Sequence, residues 1–327
     1  MNGKWKFFIS RLLQTLLTLW VIATILFFLF RLMPGNPLAA YIDPTFTREQ
    51  QEILLQQFGL DKPLWQQYFI YFGNLFQGNL GHSFFYKESV ISIIGRVLPN
   101  TIYLMTFSLI IAYVIGTLGG VLLAWKRGTK TETLGIILTL FTRSAPQFWV
   151  GMVVLAFFAF TLKWFPSAGV SPAGTMYTSE LDKLFSLAFY QHLFLPSLTL
   201  AIYLLGLPLL LMRSNMLDVM GEQFVDMARM RGLKEWRIML KYAARNAALP
   251  VITAMAVGIG YSIGGNVVIE NVFSWPGLGR LLVNAVSASD YPLAQGAFIL
   301  IAAVMVTMNF IADILYSILD PRVTSRR

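Results

Sequence analysis

Six apolar stretches, each close to the length of a bilayer-spanning helix, govern what this chain can fold into. Roughly 20 mostly apolar residues in a helix cross the ~30 Å hydrocarbon layer of a membrane. The stretches run over residues 12–30, 101–125, within 134–162, 193–212, 249–269 and 294–319. Two further apolar pieces, 68–76 and 184–189, are too short to cross. Composition points the same way. Of 327 residues 56% are hydrophobic and only 13% charged, with a mean hydropathy of +0.63, against about 25% charged in an ordinary soluble domain. So much apolar surface cannot be hidden from water, which excludes a soluble enzyme, a disordered chain and a nucleic-acid-binding domain. The expectation is an all-α, polytopic membrane protein with six transmembrane helices. Lys4, Lys6 and Arg11 precede the first stretch as they would a secretory signal. Its 19-residue apolar run is long for a signal core, and no small-x-small cleavage site follows, so it is read as an uncleaved anchor.

The net charge of +9 belongs to orientation rather than to a nucleic-acid partner. With the N-terminus inside, the inner segments carry 16 Lys and Arg and the outer segments 8, with Arg143 left out because it lies within the third stretch. Cations accumulate on the cytoplasmic side of membrane proteins, so both termini are expected in the cytoplasm. The chain has no cysteine and two histidines, His82 and His192. Disulfides, thiol catalysis, Cys-based metal sites and a His-rich metal centre are thereby excluded.

Two loops are long. Residues 31–100 form an outer segment rich in aromatics and punctuated by Pro34-Gly35-Asn36-Pro37 and Gly78-Asn79-Leu80-Gly81. Residues 213–248 form an inner segment with a helical pattern. The expected organisation is an N-terminal span plus outer segment over 1–100, a transmembrane domain over 101–320 with its cytoplasmic loop at 213–249, and a tail over 321–327. Within the inner loop, Leu217, Met220, Phe224, Met227 and Ala228 recur at helical spacing, so 216–232 reads as one amphipathic helix ended by Gly232. Arg229 and Arg231 occupy its last turn, where cations offset the helix dipole. A second amphipathic helix follows over 233–247. The spacing fits a rigid knob that docks a partner protein and equally a solvated or membrane-surface loop.

The residues themselves go further. Asp226-Met227-Ala228, then Gly232, then Arg245-Asn246-Ala247-Ala248-Leu249-Pro250 resemble the "EAA" loop of binding-protein-dependent ABC importer permeases. Asp stands where that pattern has Glu, Met stands for its first Ala, and the distance from Gly to Leu-Pro is longer, as in the peptide-permease branch. Other segments resemble the same branch: Arg31 to Pro37, Phe58 to Tyr68, Gly78 to Ser83, Arg96 to Thr101, Val272 to Arg280 and Leu319 to Arg322. The chain as a whole is similar to the first (B-type) permease subunit of dipeptide and oligopeptide ABC importers. That resemblance implies a type I importer permease in the cytoplasmic (inner) membrane. It implies pairing with a second, related permease subunit, two ATPase subunits that receive the loop through Glu222, Asp226, Ala228, Arg229 and Gly232, and an extracytoplasmic solute-binding protein. ATP and magnesium would then belong to the ATPase subunits and no cofactor to this chain. In agreement, the sequence holds no G-x-x-x-x-G-K-[ST] phosphate loop.

Several other residues are candidates. Gly260-Tyr261-Ser262-Ile263-Gly264 matches the G-x-S-x-G nucleophile elbow by letter, but that motif needs a strand-to-helix turn and a His-acid pair, and here it lies in an expected span. Gly258, Gly260, Gly264 and Gly265 fit helix packing and pore-side mobility better. Ser262 and Asn266 are the candidate pore-lining residues, because polar groups in spans usually face the bundle interior or a water path. Asn309 and Asp313 share a helix face, which favours an interhelical hydrogen bond over substrate contact. Arg143 is placed at the inner interface if the third span starts near Pro146, with its role open. Pro276, Gly277 and Gly279 form a turn that suits either an outer gate or a purely structural corner. His82 and His192 read as ordinary polar positions at the outer surface. The same architecture importing nickel chelates, glutathione or oligosaccharides is the alternative within transport. A serine hydrolase at Ser262 and a stand-alone secondary transporter are the alternatives outside it.

Overall fold

The computed structural model describes residues 3–32, 62–175, 177–262 and 265–319. The motif at Pro34 to Pro37, Phe58 to Asp61 of the next motif, Gly264, Asp320 and the tail at 321–327 lie outside the described residues, as does the side chain of Ser262. What is described is helical, with a single antiparallel bridge between His82 and Ser89 in place of any β-strand. The residues group into two compact units, one made of 1–99 with 277–327 and the other of 100–276.

In the first unit the long helix α1 (Gly3–Arg31) packs along α14 (Tyr291–Leu319). Leu26 and Phe30 of α1 close on Leu293, Ala294 and Ala297 of α14 and on Val90, Ile93 and Ile94. At the other end of the pair Arg11 reaches Asp313 at 3.4 Å. Asp313 therefore makes an interhelical ion pair, whereas Asn309, expected to act with it, is exposed. The aromatic helix α2 (Leu64–Phe76) lies against α1 through Tyr68 and Tyr71, whose rings sit 5.4 and 5.5 Å from that of Phe27. The Tyr68 hydroxyl also shares a 2.9 Å hydrogen bond with Thr24. Asp290, fully buried, collects the turn that follows α2: Ser83 Oγ and the backbone N–H groups of Phe84 and Phe85 all donate to its carboxylate. The amphipathic helix α13 (Leu278–Ser287) buries Leu278, Leu281, Leu282 and Ala285 in the same core.

Helix α3 (Val90–Trp125) opens in the first unit and supplies the second. It starts 11 residues ahead of the expected Thr101; Pro99 sits inside it, and the charged Arg96 is matched by Glu88 at 2.6 Å. The third expected span is two helices, α4 (Lys130–Ser144) and α5 (Gln147–Val154, continued as a π-helix over Leu155–Thr161), which meet at a bend of 103°. Pro146 causes the bend, because the residue before a proline is pushed out of the α region, and Ala145 is extended at φ −70°, ψ 134°. After α6 (Glu180–Leu184) the fourth stretch is likewise divided, into α7 (Leu187–Leu204) and α8 (Gly206–Val219). Pro208 has no N–H to offer the carbonyl of Leu204, so α7 ends there.

The inner loop departs from expectation in one respect. A single helix over 216–232 does not form: α8 ends at Val219, Met220 to Glu222 make a turn, and α9 covers Gln223–Met230. Beyond it, α10 winds through Glu235–Arg237, a π-helical Ile238–Ala244 and Arg245–Ala247. The fifth stretch is also broken, into α11 (Leu249–Ser262) and the short α12 (Val267–Val272), which Asn266 caps by accepting from Ile269 N–H at 2.9 Å. Among the described residues four helices are long and apolar enough to cross a membrane, α1, α3, α7 and α14, or five if the bent pair α4–α5 counts as one.

Two close contacts organise the second unit. A Cβ on Gly116 would stand 2.8 Å from the carbonyl oxygen of Leu205, and one on Gly120 only 2.5 Å from that of Leu209. Glycines four apart thus let α3 and the α7–α8 junction approach backbone to backbone, the small-xxx-small packing of membrane helices. At the far end of α3, Asn100 gathers three partners. Its Nδ2 donates to the Pro276 carbonyl at 2.8 Å, its Oδ1 accepts from Lys183 Nζ, and its own carbonyl accepts from Trp275 Nε1 at 2.9 Å. Lys183 is buried against the rings of Tyr103 and Phe189, and that burial lowers its pKa.

Gly120→Val is expected to lower the stability of the detergent-solubilised chain by about 1–3 kcal/mol through overpacking, whereas Gly95→Ala, where an added Cβ meets nothing within 4 Å, should leave it unchanged or slightly raised. Asn100→Leu should cost about 1–3 kcal/mol by stripping buried groups of their partners. Thermal unfolding followed by circular dichroism measures all three; an unchanged midpoint in Asn100→Leu would remove the three-way latch from the account of this unit.

Candidate functional site

The best-defined site candidate is the knob built on α9. The helix is amphipathic, and its buried face is the expected one at Phe224 and Ala228 but not at Met227. Val225 and Ala228 are buried with Ile238 of α10, flanked by Trp125, Val219, Phe224, Leu233 and Tyr242, while Met227, expected on that face, points outward. Gly232 ends the helix at φ +69°. Its N–H donates to the Arg229 carbonyl at 2.8 Å, and Leu233 N–H reaches back to the Ala228 carbonyl at 3.3 Å. This is the pairing of a Schellman cap, in which a left-handed glycine satisfies the last carbonyls of a helix; Leu233 completes it by packing into the same small core.

Arg229 ties the knob down. Its guanidinium lies 3.3 Å from Asp226, 3.6 Å from Glu235 at the start of α10, and 6.0 Å from the ring centre of Trp125, the last residue of α3. Glu222 occupies the N-cap position without a capping bond from its side chain. The candidate residues Glu222, Asp226, Ala228, Arg229 and Gly232 are therefore brought together on one element, Ala228 inside and the others on its surface. Left uncovered beside them are Met227, Trp236 and Met230, the last 85% exposed. Sulfur and indole groups are thus left exposed around a turn fixed by the glycine cap.

The other candidates are placed as follows. Asn266 is half-buried at the α11–α12 break, where its Nδ2 donates to Gln147 Oε1 at 2.9 Å. Ser262 is the last residue of α11, so its backbone continues a helix and does not turn from a strand, the setting a nucleophile elbow requires. His192 is buried in α7, with Nδ1 2.7 Å from the Ala188 carbonyl; the expectation of a surface position is corrected, since the ring packs within the unit. His82 is exposed. Pro276 is held through its carbonyl by Asn100, Gly277 is the extended N-cap of α13, and Gly279 is buried within α13. Arg143 lies in the last turn of α4 with its side chain over Gly206, and it borders a cavity of about 280 Å³ whose wall also includes Tyr113, Tyr203 and Gly258.

Four of the described residues, buried and charged, escaped the sequence reading, Glu132 and Asp290 among them. Glu270, fully buried in α12, accepts from Thr101 Oγ1 at 2.9 Å. Lys183 is the fourth. Neither Glu270 nor Lys183 shows in the sequence, because the partners Thr101 and Asn100 lie 169 and 83 residues away.

Comparison with known proteins closes the matter of kinship. Residues 116–325 match the family described as binding-protein-dependent transport system inner membrane component, and residues 4–105 match its N-terminal companion. The oligopeptide transport system permease protein AppB of Bacillus subtilis is 37% identical over 97% of this chain and 98% of its own length. The di/tripeptide transport system permease protein DppB of Pseudomonas aeruginosa is 35% identical over 98% of this chain and 99% of its own. The glutathione transport system permease protein GsiC of Escherichia coli is 32% identical over 97% and 98% respectively. This chain belongs to the family of inner-membrane components of binding-protein-dependent transport systems.

Proposed function

We propose that this chain is one half of the translocation path of an ATP-driven importer for dipeptides and oligopeptides, the other half being a second, related permease subunit. An extracytoplasmic solute-binding protein delivers the peptide. Two ATPase subunits carry the ATP and magnesium, and this chain contributes no cofactor and no catalytic group. Six spans with both termini in the cytoplasm remain the reading of topology, with α4–α5 as the bent third and α11–α12 as the broken fifth. The relatives named for oligopeptides and di/tripeptides support the substrate class, and the relative named for glutathione keeps a modified tripeptide within it.

The observation that carries this reading is the knob: a short helix locked by a glycine cap, braced on α3 through Arg229 and Trp125, and crowned by uncovered Met227, Met230 and Trp236. Residues 213–249 thereby serve as the coupling segment, with Glu222, Asp226, Ala228, Arg229 and Gly232 shaping the surface the ATPase receives. In the translocation path, Asn266 at the α11–α12 break and Arg143 at its cavity supply polar lining, alongside Ser262. Pro276, Gly277 and Gly279 form the corner of an outer gate.

Gly232→Val forces a β-branched side chain into a left-handed conformation at a cost of about 1–3 kcal/mol, and it should reduce ATPase co-purification and peptide uptake while membrane insertion persists. Met230→Glu leaves the backbone alone but places a charge in the docked surface; a loss of about 2 kcal/mol corresponds to some 30-fold weaker docking. Pull-down of the tagged chain from mild detergent, with mass spectrometry of the co-purifying subunits, checks both. Undiminished ATPase recovery in the two variants would rule out docking through the knob. A wild-type chain that purifies alone would overturn the importer itself.

A further inference from the structure

One side of the α10–α11 run carries an uncovered stripe. Lys234, the N-cap of α10, is followed by Arg237, Lys241 and Arg245 at three- and four-residue spacing, and all four are exposed. The same spacing continues into α11 through Leu249 and Ile252, which are exposed as well. The backbone ladder runs through the junction, Ala248 N–H donating to the Ala244 carbonyl at 3.0 Å and Ile252 N–H to that of Ala248 at 2.9 Å. The packed side of α10 is held elsewhere, Ile238 in the core of the knob and Ala243 and Ala247 in the core shared with α8. The exposed stripe therefore turns from basic to apolar between Arg245 and Leu249, where the fifth span begins.

The basic half has no counterpart on this chain. None of its four cations pairs with an Asp or Glu among the described residues. Glu235 is the only acid within 234–245, and it lies 3.6 Å from Arg229 of the knob. Like charges at this spacing repel each other and weaken a helix. Such a stripe is the chemistry of an anionic partner.

Anionic lipid and an acidic protein surface both answer that description, and distance separates them. Headgroups extend roughly 5–8 Å beyond the hydrocarbon on each side, and their charge is felt over a further ~8 Å. With the apolar stripe ending at Leu249, Arg245 stands about 6 Å from it along the axis, among the headgroups. Arg237 and Lys234 stand about 18 and about 22 Å away, past that reach. The usual tilt of a span, about 20°, shortens these distances by only about 6%. Lys234 also adjoins the knob: Leu233 before it packs in the core of the knob, and Trp236 after it is exposed.

We propose that Lys234, Arg237 and Lys241 form a second, electrostatic contact for the ATPase subunit, met by an acidic patch beside the cleft that takes the knob. This rests on the reading of residues 213–249 as the coupling segment. Opposite charge guides the subunit from a distance and fixes its orientation, while the exposed Met and Trp groups of the knob make the close contact. Docking of this kind weakens as salt rises, so the ionic strength of the cytoplasm tunes how firmly the ATPase is held.

The test places the full chain with its companion permease in phosphatidylcholine nanodiscs, strips the co-purified ATPase subunits and measures their rebinding by surface plasmon resonance. Salt is set at about 0.1 and about 1 M, where charges act over roughly 10 and 3 Å. Wild-type affinity is expected to fall about tenfold or more between the two. The double variant Lys234→Gln with Arg237→Gln binds about tenfold more weakly at low salt and loses most of the salt dependence. Both positions are exposed and unpaired, so the substitutions leave the fold intact. Met230→Ala, which removes contact and no charge, weakens binding at both salts and keeps the salt dependence. Wild-type affinity and salt dependence in the double variant would overturn the stripe as an ATPase contact. A defect that appears only in nanodiscs containing phosphatidylglycerol would overturn it too, and would assign the stripe to anionic lipid. A wild-type chain that binds no ATPase at either salt would overturn the coupling segment itself, and the stripe with it.

Discussion

Inside hydrocarbon every backbone N–H and C=O must find its partner within the protein, since an unpaired group costs several kcal/mol there. Long helices meet that demand without help, and α1, α3 and α14 do so along 29, 36 and 29 residues. The demand becomes visible where helices stop. At the α4–α5 bend the freed Ala145 N–H returns to the Phe141 carbonyl at 3.0 Å. At the α11–α12 break Asn266 caps the new helix with its oxygen and spends its nitrogen on Gln147. At the end of the second unit Asn100 serves Pro276, Trp275 and Lys183 at once. Polar residues in this apolar chain therefore concentrate at interruptions, because interruptions create the groups they satisfy.

That rule explains what was legible in the sequence. Run length marked α1 and α14 well, because nothing in either run obliges the helix to end. It failed where a residue acts against its neighbours. Pro146 and Pro208 divide apolar runs that hydropathy alone joins. Pro99 does the reverse, sitting inside α3 without ending it, so the helix begins at Val90 and not after the proline. The inner loop shows the same limit. Its period was clear, yet the turn at Met220 to Glu222 shifts the phase, which buries Val225 and exposes Met227. Gly232 was readable because a helix-ending glycine is a local matter. Glu270 and Lys183 were not, since their partners Thr101 and Asn100 lie 169 and 83 residues away.

The knob draws its mechanical meaning from what holds α8, the helix that leads into it. Gly116 and Gly120 bring α3 into backbone contact with the start of α8, and Arg213 of α8 reaches Glu132 of α4, which also accepts from Gly128 N–H at 2.7 Å. Met212 and Met216 of α8 are fully buried with Val121 and Ala124 of α3 and with Ala243 and Ala247 of α10. Side chains so enclosed cannot slide independently, because close-packed interiors transmit displacement and do not absorb it. The knob is joined to α3 where Arg229 lies over Trp125, and to α8 through the short turn at Gly221. The knob, α3 and α8 thus share packed cores, and the helical ladder of the unit is interrupted at Pro146 and Gly265.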